Sequence, residues 1–158
     1  MSNGFTLIEI LVVLTIVGLV TGGSAVYLNR SNSLQKIDTS KQEILSNLRF
    51  ARNLAITNQK PAGFSGDLKQ IAVLLSSDGV ITTWPNTINV GPSYFTKDLT
   101  ANGVNLALSV GTSFGFSAYE GRFIGIGDTL TIKISSQELL MTDTKQLIIT
   151  RSGLINDL

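Results

Sequence analysis

The chain contains no cysteine and no histidine among its 158 residues. Without cysteine it has no disulfide, no thiol nucleophile and no thiolate metal ligand. Without histidine it lacks the commonest general base and metal ligand, and neither a Ser-His-Asp nor a Cys-His arrangement can form. We therefore expect a protein that is not an enzyme, that uses no cofactor or metal, and that is held together by packing alone.

Charge is also scarce. Charged residues make up 15% of the chain and the formal net charge is +1, so bulk electrostatics do not favour a polyanionic ligand. Positive residues are nonetheless concentrated between Arg30 and Lys60, where the only acidic residues are Asp38 and Glu43. We interpret this basic stretch as a solvated helix face near anionic lipid headgroups, in preference to a nucleic-acid contact.

An apolar run occupies positions 5–28. Its polar interruptions are few: Thr6, Glu9, Thr15, Thr21 and Ser24. About 20 apolar residues suffice to cross a bilayer as a helix, so this run predicts a transmembrane helix. A secretory signal peptide would have a basic region before the run and a small-residue cleavage site after it, and neither is visible.

Two features of this run have more than one interpretation. Glu9 is an ionisable residue inside an apolar segment, which is costly and usually functional. The bland alternative is a tolerated carboxylate at the membrane interface. Gly18, Gly22 and Gly23 weaken the helix by roughly 1 kcal/mol each relative to Ala. They favour either close helix packing in a membrane or a point where the helix can stretch in a filament.

Residues 29–60 predict an amphipathic helix that packs on a sheet. A stripe at alternating three- and four-residue spacing contains one polar member, and its members are Leu34, Ile37, Lys41, Ile44, Leu48, Ala51 and Ala55. The segment from Asn58 to Pro61 is expected to end the helix. If the two helical segments are continuous, they form one helix about 80 Å long.

Residues 61–158 predict a β-rich head. Short alternating or apolar runs separated by turn residues indicate strands at 70–76, 80–84, 104–110, 113–119, 129–135 and 146–151. Asp78-Gly79 is a hairpin signal between the first two. Because no long helix separates the strands, the sheet is expected to be antiparallel. The fold class is therefore α+β.

The N-terminal stretch from Met1 to Glu9 resembles the class III signal of type IV prepilins and of type II secretion pseudoprepilins. The leader 1–4 of this chain has no Lys or Arg. The resemblance implies that a prepilin peptidase cuts after Gly4 and that the new N-terminus, Phe5, is methylated. It also implies that Glu9 pairs with the N-terminal ammonium of a neighbouring subunit during filament assembly.

Three further segments are similar to the GspH/FimT group of minor pilins and pseudopilins. They are Leu48 to Ile56, Glu120-Gly121-Arg122, and Leu147 to Gly153. This resemblance implies a pilin fold and a structural subunit of a type IV pilus or type II secretion pseudopilus. The implied partners are other subunits, the peptidase, the inner-membrane assembly machinery and membrane lipid. The implied location is the inner membrane, single-pass with an extracytoplasmic head, and afterwards a periplasmic pseudopilus or cell-surface pilus.

Two alternatives remain open at this stage. The first is a minor pilin that binds DNA for uptake through Arg122, Lys133, Lys145 and Arg151. Nearby acidic residues offset these four, so DNA is a less favoured partner. The second is a bitopic membrane protein with a β-rich binding domain. Under the pilin hypotheses the chain divides into a class III leader (1–4), a transmembrane and polymerisation helix (5–28), an amphipathic helix (29–60) and a β-rich head (61–158).

Overall fold

The computed structural model describes residues 6–77, 79–87, 92–99, 103–109, 111–136 and 144–157, apart from the side chains of 23–26 and 29. Within these ranges the chain forms one helix, α1 (Leu7–Ile56), and nine strands. The strands are β1 (Gln70–Leu75), β2 (Val80–Pro85), β3 (Phe95–Asp98), β4 (Val104–Leu108), β5 (Ser113–Ser117), β6 (Phe123–Ile124), β7 (Thr129–Ser136), β8 (Thr144–Thr150) and β9 (Ile155–Asp157).

The two predicted helical segments form a single continuous helix. Its 50 residues extend about 75 Å at ~1.5 Å per residue. The polar stretch 29–33 does not interrupt it, because these residues include no proline or glycine and Ser33 is buried. Gly18 and Gly22 are also helical. The apolar N-terminal half and the amphipathic C-terminal half are therefore parts of one rod.

The helix ends at Ile56, before the predicted Asn58 to Pro61 segment. Asn58 adopts a left-handed backbone with φ of 50°. Its N–H donates to the Ala55 carbonyl at 3.2 Å, and the Gln59 N–H donates to the Leu54 carbonyl at 3.1 Å. This pair of bonds is the Schellman termination, in which a left-handed residue lets the chain cap the last carbonyls of the helix.

All described strand pairs are antiparallel, which confirms the α+β prediction. One sheet has the order β3-β2-β1-β5-β6 and the other has the order β4-β7-β8-β9. The β1–β2 hairpin turns at the predicted place, where Gly79 has φ of 94°. Asp78 lies outside the described residues.

Strand β3 was not predicted from the sequence. It has only four residues, and its side chains are half-buried or exposed, so it shows no hydrophobic alternation. Tertiary contacts hold it in place instead. The Phe95 ring lies 5.7 Å from the Phe50 ring of α1. Beside it, the Tyr94 hydroxyl donates to the Gln59 carbonyl, and burial raises the pKa of Tyr94 to about 12.

The C-terminal half of α1 packs against both sheets. The fully buried members of this core include Ile37, Ile44 and Leu48 from the helix, Ile71, Leu75 and Phe116 from the first sheet, and Ile132, Ile134 and Leu147 from the second. Each such side chain contributes about 1.5–3 kcal/mol on burial. The core therefore fixes the direction in which the helix leaves the head.

Lys41, the polar member of the predicted stripe, is buried with the apolar ones. Its exposure is 7%, and its Nζ lies 2.6 Å from the Asp157 carboxylate of β9. Burying an unpaired ammonium would be costly, and the carboxylate offsets that cost. The ion pair thus ties the last strand of the chain to the helix.

The three segments that resemble the GspH/FimT group meet at one junction. The Arg52 Nε donates to the Gly121 carbonyl at 3.2 Å. A Cβ at Gly121 would lie 2.7 Å from the Ile56 side chain, and one at Gly153 would overlap the Gly121 carbonyl oxygen. Both glycines have positive φ. The late helix and the two turns therefore approach too closely for any side chain at these two positions.

We expect Gly153→Ala to lower the free energy of unfolding by about 1–3 kcal/mol more than Gly127→Ala does, because only Gly153 faces packed atoms. Gly127 is the matched control, since it also has positive φ but a Cβ there would meet nothing within 4 Å. The measurement is urea unfolding in mild detergent, followed by fluorescence of the single tryptophan, Trp84, which is buried. Equal effects of the two substitutions would contradict the close approach.

Candidate functional site

The N-terminal half of α1 presents an apolar surface that no other described part of the chain covers. Every side chain from position 7 to 22 is exposed, and Leu7 and Leu19 reach 82% and 74%. The hydroxyls of Thr15 and Thr21 do not break this surface. They donate to the carbonyls of Leu11 at 2.8 Å and of Val17 at 2.7 Å. Solvated monomers rarely expose so much contiguous apolar area, which indicates a membrane or protein contact.

Glu9 is the one charged side chain on this surface. It lies in the first turn of the helix, where the helix dipole favours a carboxylate. Within the described part of the chain its carboxylate has no ion-pair partner. A negative charge is therefore held at the tip of the apolar rod and is available to a cation from outside the described residues.

Thr6 is a functional residue that the sequence analysis missed. It is the N-cap of α1, and its Oγ1 accepts from the Glu9 N–H at 3.4 Å. The signal was present, because Thr6 and Glu9 have the S/T-x-x-E spacing of a capping box. Thr6 thus caps the start of the helix through the backbone of Glu9, and the spacing suits a capping box in which the Glu9 side chain would also take part. Gly4 and Phe5 lie outside the described residues.

Gly18 and Gly22 form a flat strip on the same rod. A Cβ at either position would meet nothing within 4 Å. Small residues at a four-residue spacing allow another helix to approach closely. The helix is regular at both positions. That the helix stretches at these glycines in a filament stays a prediction.

The hydropathy of the helix bears on whether it could span a membrane. No helix within the described residues is both long enough and apolar enough to qualify as a membrane span.

Two of the four predicted DNA-contact residues are neighbours. The Phe123 N–H donates to the Arg151 carbonyl at 3.2 Å, which brings Arg122 and Arg151 to the same end of the head. Each guanidinium is already paired. Arg122 Nε lies 3.2 Å from Glu120, and Arg151 Nη1 lies 2.9 Å from Asp128.

The other two candidates lie elsewhere. Lys145 lies on β8 and its Nζ is 3.5 Å from Asp38 of the helix. Lys133 is an exposed residue of β7, on the opposite face from the buried Ile132 and Ile134. Three of the four cations thus have a carboxylate partner within 4 Å. The fold does not assemble them into one basic patch.

Comparison with known proteins bears on both parts of the chain. Residues 1–25 match the family model of the prokaryotic N-terminal methylation motif. No curated protein matches the chain in sequence. Two solved structures share its fold at low identity, and both are described as minor pilus-type subunits.

The first is the type IV minor pilin FimU of Pseudomonas aeruginosa, with a TM-score of 0.59 and 13% identity, covering 77% of this chain and 91% of that one. The second is the minor pseudopilin EpsH of the type 2 secretion system of Vibrio cholerae, with a TM-score of 0.57 and 14% identity, covering 78% of this chain and 96% of that one.

The motif match and the fold match are two separate findings. The methylation motif covers the exposed apolar tip of α1, whereas the shared fold includes the sheets that pack on the other half of the helix. The chain therefore carries the prokaryotic N-terminal methylation motif and shares the fold of these two minor subunits.

Proposed function

We propose that the chain is a structural subunit of a type IV pilus or a type II secretion pseudopilus, and that it polymerises through the N-terminal half of α1. The observation that carries this proposal is the apolar half-helix, exposed in the monomer and joined to the methylation motif. Its burial between subunits would stabilise a filament by about 25 cal/mol for each Å² removed from water.

The geometry favours a filament over a closed oligomer. The helix extends as a rod from one side of the head, so one copy's rod contacts a different surface on the next copy. Such heterologous contacts generate an open helical assembly when the rotation between copies does not close. Before assembly the same apolar surface would lie in the inner membrane, single-pass, with the head on the extracytoplasmic side.

Glu9 would supply the specific contact in that assembly. Cleavage after Gly4 would make the amine of Phe5 the new N-terminus, and the carboxylate of one subunit would pair with the ammonium of the next. Both charges enter an apolar environment on assembly, where pairing offsets part of the desolvation cost. The prepilin peptidase and the inner-membrane assembly machinery are the other proposed partners.

Substitutions at Glu9 can separate its proposed role in filament assembly from a role in capping the helix. We expect Glu9→Gln to abolish or strongly reduce incorporation into sheared filaments, because it removes the charge but keeps a residue that suits a capping box. Membrane insertion should be unchanged in cell fractionation. The control is Glu120→Gln, an exposed head carboxylate that is paired only with Arg122 among the described residues.

Normal incorporation of Glu9→Gln would contradict the pairing of Glu9 with a neighbouring ammonium. Loss in Glu9→Ala but not in Glu9→Gln would assign Glu9 to capping instead. Equal loss in Glu120→Gln would show that filament assembly responds to charge in general.

The DNA-uptake alternative predicts a different result. Because Arg122 and Arg151 are already paired with carboxylates, we expect the purified protein to retard duplex DNA only at low salt. The double variant Arg122→Ala, Arg151→Ala should behave the same. Retardation that persists at about 0.15 M salt and is lost in the double variant would favour the DNA-binding minor pilin.

A further inference from the structure

Three non-glycine residues in the described part of the chain have a left-handed backbone. They are Asn58, Asn86 and Tyr119, with φ of 50°, 61° and 68°. Asparagine tolerates this conformation, whereas tyrosine rarely adopts it. Asn58 and Tyr119 line one cleft beyond the C-terminal end of α1, and Asn86 is hydrogen-bonded to two other residues that line it. Tyr119 is the unusual residue among the three. Strained backbone concentrates where a fold must hold a ligand-binding geometry, so the cleft beside Tyr119 is a candidate site.

Asn58 and Tyr119 form one wall of this cleft, whose volume is about 560 Å³. The Asn58 Nδ2 donates to the Tyr119 hydroxyl at 2.7 Å. The Tyr119 N–H donates to the Ala55 carbonyl at 2.9 Å, which fixes the turn against the helix end. The side chain of Tyr119 is nevertheless exposed, with 69% of its surface free.

Asn86, the third strained residue, holds the opposite wall in place. Its Oδ1 accepts from the Lys69 N–H at 2.6 Å, and its Nδ2 donates to the Asp67 carbonyl at 2.8 Å. Lys69 and Asp67 both line the cleft. The Asn86 side-chain amide therefore fixes the backbone of both Asp67 and Lys69, which lie in a segment without regular secondary structure.

Several polar groups in the cleft lack partners within the described residues. The Asn58 Oδ1 is buried and accepts no hydrogen bond. Lys60, Lys69 and Asp67 also line the cleft and form no ion pair there. A buried acceptor without a donor is costly and calls for an explanation. The Lys60 and Lys69 ammonium groups and the Asp67 carboxylate belong to exposed residues, so a ligand in the cleft can reach them.

We propose that this cleft binds a saccharide that carries a carboxylate. Lys60 and Lys69 supply ammonium groups for the acid, and the Asp67 carboxylate accepts from sugar hydroxyls. The exposed Tyr119 ring supplies an apolar face for the pyranose ring. The cleft volume falls within the ~300–1,000 Å³ typical of small-molecule sites.

Nucleic acid fits this cleft less well. Its affinity depends on the number of cations that contact phosphates, and here Asp67 offsets one of two lysines. The site does not depend on the proposed filament, because about 75 Å of helix separates it from the exposed N-terminal tip. Loss of sugar binding and loss of assembly are therefore distinguishable outcomes.

The test measures binding of trigalacturonate to the full-length protein in detergent micelles by isothermal titration calorimetry, with maltotriose as the neutral comparison. We expect trigalacturonate to bind and maltotriose to bind at least tenfold more weakly. The variants Tyr119→Gly and Lys60→Gln with Lys69→Gln should each weaken binding by roughly tenfold or more, as expected for a lost charge-assisted or stacking contact. Glycine is chosen because it accepts the left-handed backbone.

Lys133→Gln is the matched control, since Lys133 is an exposed lysine outside the cleft, and its binding should equal that of the parent chain. The fluorescence of Trp84 verifies that each variant is folded. Absence of saturable binding, equal affinity for maltotriose, or undiminished binding in the folded cleft variants would overturn the proposal. Displacement of trigalacturonate by an equal concentration of oligothymidylate would also overturn it, in favour of a nucleic-acid ligand.

Discussion

The structure depends on the different burial of the two halves of one helix, α1: its C-terminal half packs against the head, and its N-terminal half is exposed. The C-terminal half of α1 finds its apolar partners within the chain, in the core around Ile44 and Leu48. The N-terminal half has the same regular backbone and an apolar surface, yet its described side chains have no cover. Burial is the main favourable term in both folding and association. The head therefore buries the apolar face of one half of the helix. The apolar surface of the other half can be buried only by a bilayer or by further subunits.

Close packing at the C-terminal end of α1 holds the helix in a fixed direction relative to the head. Arg52, Gly121 and Gly153 bring the late helix, a turn of the first sheet and a turn next to the second into direct contact. The Lys41–Asp157 ion pair adds a second tie, to the last strand. Two sheets that hold one half of a rod from different sides fix its direction. A rod with a fixed direction can present its free half to neighbouring copies in a repeated geometry.

Much of this architecture could be predicted from local patterns. The apolar run and the stripe through Ile37 and Ile44 predicted the helix, and alternation in 129–135 predicted β7, because a regular element that buries one face leaves a periodic signal. The same reasoning could not find β3. Its position depends on the Phe50–Phe95 contact and the bond from Tyr94 to Gln59, which join residues far apart in sequence. The cleft lined by Asn58 and Tyr119 could not be predicted for the same reason.

The proposed assembly depends on a processing step that would turn the apolar half-helix into an assembly element beginning at Phe5. Mass spectrometry of the N-terminal peptide, from protein isolated out of the filament fraction of cells with an active prepilin peptidase, tests it directly. We predict a peptide that starts at an N-methylated Phe5. A peptide that retains Met1 and the leader up to Gly4 in that fraction would contradict it.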